Sequence, residues 1–164
     1  MHFRLEQLFR APVAAVARAY TEPAFYEQLG QLPKLGRPEV LERDEDGHLV
    51  RLEIRYRFTG DLSPAVRRVI DPERLTWVEH TVHDLARLEV DFRMAPDHYA
   101  DKLRSAGRYR FEADGDRTRR VADGDLSVRV PIVGGAVERA IISGIRGHLT
   151  DEVGVVESFL AGNG

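Results

Sequence analysis

The 164-residue sequence predicts an α+β domain in which a curved antiparallel sheet of about seven strands is closed by one long C-terminal helix. Three observations predict it. Period-two alternation dominates from about Glu39 to Val130, most cleanly in His48–Phe58, where Val50, Leu52, Ile54, Tyr56 and Phe58 oppose Arg51, Glu53, Arg55 and Arg57. Apolar residues at helical spacing then run from Ile132 to Leu160, about 45 Å of helix. A sheet with one apolar face has to cover it, and only that helix is long enough.

His2–Arg10 opens the chain as a half-buried strand, with Phe3, Leu5 and Phe9 against Arg4, Glu6 and Arg10. Ala11-Pro12 ends it and starts a short helix through Val13, Val16, Ala17 and Tyr20. A second short helix follows through Phe25, Tyr26 and Leu29, with Thr21 as its expected cap and Gly30 as its stop. Strands are expected at Glu39–Arg43, His48–Phe58, Leu75–His83, Arg87–Met94, Arg104–Ala113 and Arg117–Val130. Ala113-Asp114-Gly115-Asp116 reads as a tight hairpin turn, and Asp123-Gly124-Asp125 as a bulge. No repeat or linker divides the chain, so residues 1–164 are expected to form a single domain.

Composition excludes several classes. A net charge of -3 lacks the positive excess of a nucleic-acid-binding protein. With no cysteine there is no disulfide, thiolate metal site or cysteine nucleophile. No apolar run approaches the ~18 residues of a membrane span or forms a signal peptide, so a soluble, cytoplasmic protein is expected. No Gly-x-Ser-x-Gly elbow or phosphate-binding glycine loop is present, and nothing calls for a cofactor. His80 and His83 lie three apart on a strand and point to opposite faces, so no metal site is expected there.

The stretch SGIRGHLTDEVG, residues 143–154, interrupts the long helix with glycines. Interior helical glycine costs about 1 kcal/mol relative to alanine, so these glycines either bend or break the helix or leave room beside it. Gly144 projects to the apolar side and is expected to leave space. His148 and Glu152 fall on the apolar arc at i, i+4, where they can touch. Because glutamate is rarely buried, the expectation is that the helix extends past the sheet and leaves both in water; the other reading makes them a polar pair on a pocket wall. For Leu75–His83 two orientations stand open. Either Trp77, Glu79, Thr81 and His83 face inward, or Val78 and Val82 do. Arg104, Arg108, Arg110, Arg117, Arg119 and Arg120 cluster on one hairpin, expected to be a solvated, salt-bridged outer face.

This order of elements resembles the helix-grip fold of the START-like superfamily, which includes birch-pollen-allergen relatives, lipid carriers and polyketide cyclases. The junction GDLSVRVPIVGGAVERAI, residues 124–141, is similar to an uncharacterised bacterial family within it. The resemblance implies a hydrophobic cavity between sheet and helix that binds a lipid, isoprenoid or aromatic polyketide. Its expected walls are Leu52, Ile54, Tyr56 and Phe58, then Leu88, Val90, Phe92, Tyr109 and Phe111, then Ile141 and Ile145. Trp77, Glu79, His148 and Glu152 would add polar or aromatic contacts. The short helices and the loops at Ser63-Pro64 and Pro96-Asp97 would frame an entrance. Two alternatives accompany this reading. One is a cyclase- or dehydratase-like enzyme using His148 and Glu152 as an acid/base pair; the other is a protein-interaction module with a filled core.

Overall fold

A computed structural model describes residues 1–32 and 35–162. Seven strands form one antiparallel sheet in the order β1-β7-β6-β5-β4-β3-β2. They are β1 (His2–Phe9), β2 (Leu35–Asp46), β3 (Leu49–Phe58), β4 (Thr76–Asp84), β5 (Glu89–Pro96), β6 (Leu103–Asp114) and β7 (Arg117–Val128). The short helices α1 (Val13–Ala19) and α2 (Pro23–Leu29) follow β1. A one-turn helix α3 (Pro64–Arg67) and a 3-10 turn (Pro72–Arg74) lie between β3 and β4, and α4 (Gly134–Gly162) closes the chain.

Alternation places the core. In β3, Val50, Leu52, Ile54, Tyr56 and Phe58 are all buried against solvent-facing arginines. They share one core with Val137, Ile141, Leu149, Val156 and Phe159, the buried stripe of α4. Each fully buried side chain of this size contributes about 1.5–3 kcal/mol through removal of apolar area from water.

Several local expectations are corrected. β7 pairs without interruption with both β1 and β6, so Asp123-Gly124-Asp125 is not a bulge; a register shift sits in β2 instead, between Val40 and Glu42. Gly124 faces Gly107 across the strands, and a Cβ on Gly107 would lie 2.3 Å from the Asp123 carbonyl oxygen. That close approach lets the Phe92 ring pack over the glycine pair. Thr21 does not cap α2: the N-cap is Glu22, and the Thr21 hydroxyl donates to the Arg18 carbonyl at 2.7 Å. Leu88 lies in the turn before β5 with φ 59°, not on a strand.

The glycines do not break α4, which is helical over all 29 residues. Nor does Gly144 leave a void, because the Phe58 ring occupies that side, 2.7 Å from where a Cβ would stand.

Candidate functional site

The site is built where inward positions of strands and helix carry polar groups. Period two in β1 brings Gln7 to the same face as Phe3, Leu5 and Phe9. In β7 the same period, read back from Val128 through Leu126, Gly124 and Ala122, turns Arg120 and Thr118 inward. Arg120 therefore leaves the outer arginine cluster, correcting the expectation for that residue. On the outer face Arg108 and Arg119 form ion pairs, Arg108 at 2.7 Å from Asp91 and Arg119 at 2.7 Å from Glu112.

Inside, Arg120 is clamped between aromatic faces, its guanidinium 3.9 Å from the Tyr20 ring centre and 3.8 Å from that of Tyr109. A desolvated contact of this kind contributes about 2 kcal/mol. Arg120 Nη1 donates to Gln7 Oε1 at 2.8 Å and to Glu152 Oε1 at 3.3 Å. Gln7 Nε2 donates to the Leu149 carbonyl at 2.7 Å, tying β1 to α4. The Tyr20 hydroxyl also donates to Glu152 Oε1.

His148 Nε2 lies 3.2 Å from Glu152 Oε2. Both residues are buried, at 3% and 4% exposure, which overturns the expectation that they stand in water. The reason is that Glu152 has partners. Burial alone would raise its pKa, but the hydrogen bond from His148 and the Arg120 charge outweigh it and hold the carboxylate ionised, below its usual range.

Beside this network lies a cavity of about 70 Å³ between sheet and helix. Of the sequence-predicted residues, Tyr56, Trp77, Glu79, Val90, Phe92, Tyr109, Ile145, His148 and Glu152 line it. Leu52, Ile54, Phe58, Phe111 and Ile141 do not; they are packed in the core. Leu88, in its turn, is also away from the cavity. Lining residues that sequence reasoning missed include Tyr20, Tyr26, Met94, Ser105 and Arg120.

β4 resolves in favour of Trp77 facing inward. Trp77, Thr81 and His83 are buried, while Val82 is exposed. Trp77 stacks on Tyr56, its cross-strand partner, with ring centres 5.9 Å apart. His83 Nε2 pairs with Thr81 Oγ1 at 3.0 Å, and burial lowers its pKa to about 3, keeping it neutral. His80 turns outward to Glu53 at 3.1 Å. Glu79 lines the cavity, and among the described residues its carboxyl has no hydrogen-bond or ion-pair partner. Burial raises its pKa from 4.5 to about 7, with Arg120 opposing and Glu152 adding to the rise.

Among the described residues, four buried atoms on residues that line the cavity lack a partner: Trp77 Nε1, His83 Nδ1, His148 Nδ1 and Arg120 Nε. His148 directs Nε2 at Glu152, which leaves its Nδ1 without a partner among the described residues. The arrangement can thus orient a small polar group and hold or move a proton.

On one side the sheet parts. β5 pairs with β6 only from Glu89↔Arg110 to Arg93↔Ala106. Beyond that point Met94–Pro96 stay with β4, and Leu103–Ser105 stay with β7. The Pro96-Asp97 loop expected at an entrance lies at this parting, whereas Ser63 and Pro64 do not line the cavity.

Among the described residues no group of three His, Asp or Glu side chains is placed to hold a metal ion, and no helix is long and apolar enough to cross a membrane.

The same architecture recurs among solved structures. The protein TTHA0849 from Thermus thermophilus superposes with a TM-score of 0.69 at 18% identity, covering 99% of both chains. The ZhuI aromatase/cyclase from a Streptomyces species gives 0.66 at 16% identity, covering 98% of this chain and 93% of that one. Norcoclaurine synthase from Thalictrum flavum, in complex with dopamine and hydroxybenzaldehyde, gives 0.66 at 14% identity, covering 98% and 87%. At these identities the likeness establishes the fold alone, a helix grip in which a curved antiparallel sheet holds one long helix. A search of curated proteins gives no match. Residues 4–160 match the family described as "Protein of unknown function (DUF2505)", and since that match takes in nearly the whole chain, the protein belongs to this family.

Proposed function

We propose that the protein binds a small, largely apolar molecule with one polar end in the cavity between the sheet and α4. The observation that carries this reading is an enclosed space walled by Tyr20, Tyr26, Tyr56, Trp77, Phe92 and Tyr109, on which the Glu79 carboxyl stands without a partner among the described residues. Interiors that serve packing alone satisfy such groups in the great majority of cases.

Size narrows the guest. A single water needs roughly 10–15 Å³ of such space, so a cavity of about 70 Å³ has room for about five waters, the space of one substituted ring. Pockets for larger ligands reach about 300–1,000 Å³, so a long acyl chain would need the walls to move. Two neighbours sharing the fold bear on this: one is an aromatase/cyclase, and another is complexed with dopamine and hydroxybenzaldehyde, both single-ring molecules.

Native mass spectrometry of gently purified protein, with and without added phenol, tests the reading. A copurified or added small guest bound one to one is expected. Preparations that stay free of guest and take up none would overturn it.

A second reading, a proton-transfer enzyme of the cyclase or dehydratase type, is favoured by one observation. His148 is fixed by Glu152 with Nδ1 free, while Glu79 titrates at about 7 nearby. Groups so placed can serve as base and acid near neutral pH. His148→Ala should then abolish turnover while leaving the fold intact, as read by circular dichroism; unchanged turnover would reject the assignment. The interior is not filled, so the filled-core module has no observation in its favour.

A further inference from the structure

The gap between β5 and β6 is built into the sheet rather than frayed. Continued in register, Met94 would face Ser105, Ala95 would face Arg104 and Pro96 would face Leu103. Pro96 has no N–H to give, and the Leu103 N–H donates to the Tyr99 carbonyl at 2.8 Å. Each lip is held to its other neighbour. The Asp97 N–H donates to the Thr76 carbonyl at 3.0 Å, and the Arg129 N–H to the Lys102 carbonyl at 2.7 Å. The turn joining the two strands is tied down as well, since the Asp71 N–H donates to the Tyr99 hydroxyl at 3.1 Å.

The gap opens into a groove of about 530 Å³ that crosses the sheet. Alternation shows the crossing. Met94, Leu103 and Ser105 are inward positions of their strands and Arg93, Arg104 and Ala106 outward ones, yet all six line this groove. Met94 and Ser105 line the inner cavity too, so cavity and groove meet at these two side chains.

The outer lips carry positive charge. Arg93 on β5 and Arg104 on β6 occupy diagonal positions on the outer face, where two long side chains can reach one group. Among the described residues neither has an ion-pair partner, whereas Arg108 on the same face is held by Glu89 at 3.4 Å and Asp91 at 2.7 Å. The one carboxylate lining the groove among the described residues, Asp125, stands a strand away on β7, 3.5 Å from His2. Inside, Arg120 is already paired with Glu152 at 3.3 Å, so an anion fits the outer mouth better than the interior.

Resting on the ligand-binding reading above, we propose that the groove is the outer half of the same site and that the guest is an amphiphile with a terminal carboxylate. Its ring lies in the cavity, its tether passes between β5 and β6, and Arg93 and Arg104 receive its carboxylate. One sheet layer is about 10 Å thick, so the tether is about five carbons long.

Calorimetric titration with phenylhexanoate, phenylhexanol, phenylhexylamine and phenol tests this. Phenylhexanoate should bind roughly three- to tenfold more tightly than the alcohol, and the margin should shrink as salt rises, because exposed charges are screened. Arg93→Gln and Arg104→Gln should each weaken phenylhexanoate by roughly two- to fivefold and leave phenol unaffected. The chain has no cysteine, so Ala106→Cys places a single thiol on the outer lip. Capping that thiol with a bulky maleimide should block phenylhexanoate while the equilibrium affinity for phenol stays; the uncapped variant controls for the fold. Binding of phenol alone, equal affinity for acid, alcohol and amine, or phenylhexanoate binding that survives the cap overturns the groove assignment and leaves the inner site standing. Binding of none of the four removes the ligand-binding reading and this assignment together.

Discussion

Arg120 is the residue around which the interior is organised. Two tyrosine faces, Gln7 and Glu152 hold it, and together they neutralise a charge that could not otherwise be buried. Removing one member of such a pair leaves the other uncompensated. Arg120→Ala should therefore lower the unfolding free energy by about 3–5 kcal/mol, read from the shift of the denaturation midpoint. Glu79 carries the opposite kind of cost. Below about pH 4.5 folded and unfolded chains both hold its proton; between 4.5 and about 7 the unfolded chain releases it first and stability falls. Glu79→Gln should thus be more stable than the parent protein at pH 8 and indistinguishable from it near pH 4, as measured by thermal unfolding. The inward turn of Gln7 and Arg120 was legible in the alternation of β1 and β7, yet composition argued against it. Polar side chains at inward positions read as surface until the partners that satisfy them are known, and those partners lie more than 100 residues away for Gln7.

At the scale of elements, periodicity was a good guide. The seven strands and the final helix were legible because each buries one face, and burial imposes its period directly on side-chain choice. The register of β7 was not legible across Asp123-Gly124-Asp125, since a glycine that packs beneath Phe92 reads like a break in alternation. The α4 glycines separate in the same way. Gly144 faces the Phe58 ring, whereas nothing stands within 4 Å of a Cβ on Gly154. Gly154→Ala should accordingly stabilise the protein by about 0.4–1 kcal/mol through helix propensity and unfolded-state entropy. Gly144→Ala must displace Phe58 and should lose about 1–3 kcal/mol instead. Chemical denaturation of the two variants against the parent protein checks both signs.

At the scale of the whole molecule, a curved sheet and one long helix enclose a space whose walls are mostly apolar and whose few polar groups are not all used. The fold accounts for the enclosure, because strands that bend away from a rod cannot meet it along its full length. The sequence predicted a cavity from that architecture, but not its modest size, which depends on how Tyr20, Tyr26 and Tyr109 stand inside it. Nor was its chemistry fully legible, because unpartnered atoms emerge only from three-dimensional packing. The central claim is that this space receives a guest. Its most direct test follows Trp77 emission while phenol, acetophenone and benzylamine are titrated into the parent protein and into an Ala122→Leu variant, in which added bulk occupies the cavity beside a retained fold. The account predicts a saturable one-to-one response to at least one ring in the parent protein that is lost in the variant. No saturable response to any of them, or an equal response in both proteins, would contradict it.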